Sequence, residues 1–286
     1  MPPDASLRLW YQKVVRLAFA SLVTLSLVSA TACSSRTGDP PSDGGTPAVG
    51  GKDQRIRELT DPSLPGHAAL PGTTQAVSGA VVIAVDTYDE TNDGKNAGGI
   101  LLQDLDASKE RPYGGIGLFA PSFNPGNLKV SPGDVLDLRG QYQENNSIPS
   151  KPPILFAPNA FLVQLSQPIA TFRYETAVPA PVDIDLADLS DYSKSRRWLG
   201  MLVRVTNVTA AGAPYGTGRQ SIDIGTRSVK ADCNAPFPKV PQIVNDLMDL
   251  APLGVKDNTR ISSIVGVVGF FCSMHLAPRS IADIKI

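Results

Sequence analysis

Few residues in this 286-residue chain carry side chains suited to covalent or metal chemistry. There are three cysteines, Cys33, Cys233 and Cys272, and two histidines, His67 and His275. Cys272 and His275 stand in a Cys-x-x-His spacing that can serve a metal, with Cys233 as a third ligand, but no fourth ligand is evident. A Ser-His-Asp triad could use only His275, and no Gly-x-Ser-x-Gly elbow is present. His275 therefore reads as a structural or surface residue. The most acidic stretch is Asp86-Thr87-Tyr88-Asp89-Glu90-Thr91-Asn92-Asp93-Gly94. Carboxylates with a glycine at the turn can wrap Ca²⁺. Counted from Asp89, the positions of Thr91, Asp93 and Gly94 are acceptable, but Ile100 falls where a bidentate Glu is needed. A solvated hairpin loop is the simpler reading. No catalytic residue, metal site or cofactor is expected.

Aromatic and basic residues are available for stacking and following a nucleic-acid strand. Phe119, Phe123, Tyr142, Phe156 and Phe161 are scattered among Lys109, Arg111, Lys129 and Arg139. Core packing is the competing reading for these aromatics. Arg196-Arg197-Trp198 reads as a contact at a domain junction. Arg279 and Asp283, four residues apart, read as a structural ion pair or backbone clamp.

The elements that must position these residues are mostly β. Turn-bounded apolar runs dominate, helical periodicity is scarce, and glycine and proline number 25 each. Val77–Thr87, Gly98–Asp104, Gly114–Ala120, Val135–Tyr142 and Ile154–Leu165 are five expected strands, with Pro132-Gly133-Asp134 as a turn. Pro168–Lys194 is a connector made extended by its prolines, with a short acidic turn or helix within Asp183–Asp191. Trp198–Val208, Ser221–Ile224, Ser228–Ala231 and Ile261–Phe271 are expected strands of a second unit. Pro241–Leu250 has helical spacing. A single β-sandwich fits the same strand spacing.

Upstream, Arg8, Lys13 and Arg16 precede Leu17–Thr31, a fifteen-residue run without charge. That length suits a signal-peptide core and falls short of a spanning helix. Ala30-Thr31-Ala32-Cys33 closes the run. This segment resembles a bacterial lipobox, although Leu is usual where Ala30 stands. The resemblance implies cleavage between Ala32 and Cys33 and multiple acylation of Cys33, which holds stably in a bilayer. By the same analogy, Ser34 points to the outer membrane of the cell envelope. Ordinary secretion is the alternative, since Ala30-Thr31-Ala32 also fits a small-x-small cleavage site. With Cys33 used for the anchor, an even pair in an oxidising compartment favours a Cys233–Cys272 disulfide. Closing that loop of about 40 residues would stabilise by about 3–4 kcal/mol in the chain-entropy account. Two free thiols and the metal site remain open. Cleavage leaves 23 basic and 26 acidic residues, a net charge near −3, unlike a protein that holds nucleic acid chiefly through phosphates.

Gly-Ile-Leu-Leu-Gln-Asp at 99–104, the Gly-rich third strand and Pro-Gly-Asp-Val-Leu-Asp-Leu-Arg-Gly at 132–140 resemble OB-fold modules of bacterial secreted proteins, including those accompanying extracellular nucleases. The closing Leu276-x-Pro278-Arg279-x-x-x-Asp283 resembles the end of the same modules. The resemblance implies five-stranded Greek-key barrels that often bind oligonucleotides or oligosaccharides. The expected organisation is a signal peptide at 1–32, a flexible tether at 33–74, a first OB-like barrel at 75–170, a connector at 171–196 and a second OB-like barrel at 197–286. The expected function is a non-enzymatic binding or scaffolding module, anchored to the membrane and facing an envelope protein or a glycan. A nucleic-acid-binding or nuclease-accessory protein and a carboxylate-dependent hydrolase are the alternatives.

Overall fold

The computed structural model describes residues 54–90, 92, 94, 99–119, 130–145, 161–225, 240–271 and 273–286. The fold is mainly β, in two sheets. The first contains β1 (Thr74–Val85), β2 (Ile100–Asp104), β3 (Gly115–Phe119), β4 (Asp134–Asn145) and β5 (Leu162–Glu175). These close into a barrel in the order β1-β2-β3-β5-β4. All neighbours are antiparallel except β3 and β5, which run parallel.

The second sheet contains β6 (Val182–Asp183), β7 (Leu202–Thr209), β8 (Ser221–Asp223), β9 (Gln242–Val244), β10 (Arg260–Phe271), β11 (Ser273–Ala277) and β12 (Ile284–Lys285). Its order is β6-β7-β10-β11-β9-β8, with β12 on β10. The residue that follows β7 and the residue that follows β8 meet at an isolated bridge, Ala210 to Ile224. Ala211 N–H donates to the Asp223 carbonyl and Gly225 N–H to the Thr209 carbonyl, each at 2.8 Å. The circuit β7-β8-β9-β11-β10 therefore repeats the strand order of the first barrel, including its one parallel pair, β9 with β11.

β1 shows why its apolar run is nearly continuous. Val77, Ala80 and Val82 join the main core, while Val81 and Ile83 pack with Val135 and with Leu202 and Val267 of the second sheet. A strand buried on both faces cannot alternate. Close backbone approach brings the two halves together. A Cβ on Gly115 would lie 2.2 Å from the carbonyl carbon of Gly200, so these glycines leave no space for a side chain. Leu202 N–H donates to the buried Gln103 Oε1 at 2.7 Å, and Tyr113 N–H to the Arg197 carbonyl at 2.7 Å. Trp198 is fully buried at this junction.

Several expectations change. Residues 54–72, assigned above to the tether, pack onto the first barrel. Their short helix α1 (Ile56–Thr60) buries Ile56 and Leu59 completely. Asp104, at the end of β2, accepts from Ile56 N–H at 3.0 Å and Arg57 N–H at 3.1 Å. The helix is thus capped by a residue distant in sequence, which local pattern reading does not find. The fifth strand runs to Glu175, through Pro168 and into the expected connector. Pro168 is tolerated because the β4–β5 register shifts there, between Arg139 and Gln141, and Gln167 takes φ 48°. A Cβ on Gly140 would meet the Ser166 carbonyl oxygen at 3.0 Å, so this glycine lets the bend form. The helical spacing at Pro241–Leu250 instead yields β9. Ile243 pairs with Leu276, and this tertiary ladder overrides a short periodic pattern. Ser228–Ala231 and residues 154–160 lie outside the described residues. Among the described residues no helix is long and apolar enough to cross a membrane.

Candidate functional site

β10 and β11 place a chemically varied group of side chains at the seam between the first barrel and the second sheet. Gly269 and His275 face each other across this antiparallel pair. A Cβ at Gly269 would lie 2.1 Å from His275 Nε2. The glycine therefore makes room for the imidazole, which is buried against the strand backbone. His275 Nε2 lies 3.3 Å from Asp246 Oδ2. Arg219, from the β7–β8 loop, brings its Nε to 3.3 Å from Asp246 Oδ1 and its Nη2 to 3.6 Å from Glu90 Oε1. Its guanidinium also sits 4.8 Å above the ring of Phe271. Glu90 belongs to the β1–β2 loop, so Arg219 spans the seam.

These groups border a cleft of about 320 Å³. Asp86, Leu101 and Leu162 line it from the first half of the chain and Leu247, Val267 and Phe271 from the second. A narrower cleft of about 180 Å³ continues along the seam and shares Leu101, Phe119, Leu162 and Val268. Phe119 is 48 % exposed and Phe271 37 %, an unusual pair of solvent-facing aromatics beside one opening. An apolar cleft with a few converging polar groups is the usual form of a small-molecule site.

The electrostatics of the cleft are uneven. Burial pushes the Asp86 carboxyl up to about 6, and the nearby Glu90 and Asp246 charges add to this against Arg219 and the Tyr88 amide. Burial acts on Asp246 in the same direction. There the His275 hydrogen bond and charge, with Arg219, outweigh it and hold the carboxyl below its ordinary range. Asp246 Oδ1 is itself buried and has no aligned hydrogen-bond donor. The cleft thus holds one carboxyl that binds a proton readily and another that stays ionised.

A second polar cluster is packed shut. His67 Nε2 lies 2.9 Å from Glu144 Oε1, and Arg196 pairs with the same oxygen. Tyr142 donates to it at 3.0 Å. This cluster ties residues 54–72 to β4 and to the turn before Trp198. His67, read as part of the tether, is thus a buried structural residue.

The remaining candidates separate by location. Ala32, Cys33, Cys233 and Cys272 lie outside the described residues, as do Phe123, Phe156, Lys129, Thr91 and Asp93. Tyr142 is fully buried, whereas Arg139 is exposed. Arg111 pairs with Asp106 away from the seam cleft. The described residues among them do not form one aromatic–basic face. Arg196-Arg197-Trp198 does sit at the junction, with Arg197 paired to Asp188 at 2.9 Å and stacked 4.7 Å from Trp198. Arg279 grips Asp283 through Nη2–Oδ1 at 2.9 Å and Nε–Oδ2 at 3.0 Å, and its amide adds a third bond at 3.0 Å. Asp89 accepts from Gly94 N–H, as a loop carboxylate stabilising a turn does. Among the described residues no three His, Cys, Asp or Glu side chains are grouped to hold a metal ion. Arg219, Asp246 and Phe271 carry no signal of this site in their spacing, whereas Glu90 belongs to the acidic loop noted above. No family model, curated protein or solved structure matches this chain.

Proposed function

We propose that this chain is a non-catalytic binding module, carried on an acylated Cys33 in a bacterial envelope and built from two OB-like barrels, which takes its ligand in the seam cleft. The cleft carries this reading: apolar walls, two exposed aromatics and a converging His275–Asp246–Arg219 cluster lie between the barrels. The strand order common to both circuits supports the OB-like assignment. A ligand that binds the folded state raises its melting temperature. The test is a thermal-shift series on the full chain with aromatic amines, acids and amides, N-acetylglucosamine oligosaccharides, and a single-stranded oligonucleotide. At least one class should raise the midpoint for the wild type and leave Leu162→Trp, whose indole fills the cleft, unmoved. A salt-sensitive shift with the oligonucleotide alone, preserved in Leu162→Trp, would favour the nucleic-acid alternative. Intact mass of membrane-extracted protein tests the anchor, with an acylated N-terminus at Cys33 expected.

One observation favours a second reading, a carboxylate-dependent hydrolase. Asp86 and Asp246 line one cleft with carboxyls shifted in opposite directions, the pattern of an acid and an ionised partner. Release of new reducing ends from an N-acetylglucosamine oligosaccharide, abolished by both Asp86→Asn and Asp246→Asn, would establish it.

A further inference from the structure

We infer that the seam cleft recognises an organic cation, an ammonium, amidinium or guanidinium group on an apolar body, and that Arg219 occupies the cation's place while the cleft is empty of ligand. This inference rests on the binding-module reading and assigns its ligand class.

The first observation is the position of Arg219. Its guanidinium lies on the face of Phe271 at 4.8 Å and between carboxylates of both barrels, Glu90 at 3.6 Å and Asp246 at 3.3 Å. An aromatic face with flanking carboxylates is the surrounding that attracts a planar cation. The chain itself thereby shows what the site accommodates. The second is charge. Asp86, Glu90 and Asp246 border the cleft, and among its lining residues Arg219 is the one with a permanent positive charge. Burial, with the Glu90 and Asp246 charges adding to it, already favours a proton on Asp86. A ligand cation would answer those charges without requiring that proton. The third is the buried Asp246 Oδ1, which has an acceptor site that no donor is aligned to fill. An N–H of the ligand can fill it.

Arg219 is suited to leave. Its side chain is 40 % exposed and comes from a loop, and exposed ion pairs hold weakly. Its departure opens Glu90 Oε1, Asp246 Oδ1 and the ring face it covers on Phe271 at once, while Asp246 Oδ2 keeps His275. The walls beyond, formed by Leu101, Leu162 and Val267, are apolar and suit the body of the ligand rather than its charge. An anionic ligand would instead depend on Arg219 and meet three carboxylates. The two classes respond oppositely to loss of this one side chain.

The experiment is isothermal titration of the full chain in detergent with benzamidine, its neutral relative benzamide and the anion benzoate. The variants are Arg219→Ala, Asp246→Asn and Leu162→Trp, each checked for an unchanged circular dichroism spectrum. Benzamidine should bind the wild type at least tenfold more tightly than benzamide. Arg219→Ala should tighten benzamidine binding tenfold or more, and Asp246→Asn should weaken it. Equal binding of benzamide overturns the cation assignment and leaves the cleft standing as a neutral site. So does a preference for benzoate that disappears in Arg219→Ala. Absence of benzamidine binding to both the wild type and Arg219→Ala overturns the cation assignment, while the thermal-shift series still judges the cleft. Benzamidine binding unchanged in Leu162→Trp overturns the cleft itself.

Discussion

The molecule contains two clusters made of the same four components. In one, His67, Glu144 and Arg196 meet beside Phe161, which lies 5.9 Å from the Arg196 guanidinium. In the other, His275, Asp246 and Arg219 meet beside Phe271. The first serves one carboxylate with an arginine, a histidine and the Tyr142 hydroxyl, and it is closed to solvent. The side chains of His67, Glu144 and Arg196 are 8 %, 12 % and 12 % exposed. The second sets three carboxylates about one arginine and opens onto a cleft. The same kinds of side chain therefore do not define a site. What separates a fastener from a binding place is the charge left unmatched and the space left unfilled.

That contrast predicts opposite outcomes for equivalent substitutions. Glu144→Gln leaves Arg196 and His67 facing no carboxylate in a closed environment and should cost about 3 kcal/mol or more, read as a lowered denaturant midpoint. A stability loss below about 1 kcal/mol would show that this cluster is not the fastener described. Gly269→Ala comes next. Its methyl displaces His275 and should cost about 1–3 kcal/mol while weakening ligand binding, so a neutral effect on both would break the assignment of His275 to the cleft.

A pH series sharpens the comparison further. Burial raises the fully buried Asp104 carboxyl to about 6 from 3.8, against the pull of its two amide donors. The protonated form is favoured in the folded state, so this stabilisation is complete below about pH 3.8 and is lost as pH rises through 6. Thermal midpoints should fall between pH 4 and 7, by up to about 3 kcal/mol from Asp104, and Asp104→Asn should flatten that slope. Asp86 contributes to the same window with the same sign but from the cleft. Asp86→Asn should remove its share, and a saturating cation should diminish it in the wild type. The smallest effect is expected for Asp246→Asn in the absence of ligand, within about 1 kcal/mol, because Asn keeps an oxygen for the buried His275 and the Arg219 partner is reachable by water. A loss as large as that of Glu144→Gln would erase the distinction between the two clusters.

Much of the β framework was legible in the chain. Pro132-Gly133-Asp134 announced β4 and Gly-Ile-Leu-Leu-Gln-Asp announced β2, although the first half of β4 is buried on both faces, polar Asp137 included. The Arg279–Asp283 clamp was legible because both partners lie within one turn of chain. α1 was not legible as a packed element, since its cap comes from Asp104, 48 residues away from Ile56. Nor was β9, whose three residues are strand only through pairing with β8 and β11.

The cleft shows the same division. Asp86 and Glu90 were visible as an acidic loop and His275 as one of two histidines, but nothing in their spacing joins them. Asp246 lies 29 residues before His275 and Arg219 another 27 before that. Periodicity and turn chemistry act over a few residues, so the sequence by itself determined a β-rich chain with many of its strands and turns. Which strands became neighbours, which histidine was sealed and which was left beside open space were decided by the closing of the first barrel and its approach to the second sheet at Gly115 and Gly200. Charge surplus and cavity are properties of that assembled arrangement, because both depend on which distant groups share a low-dielectric space.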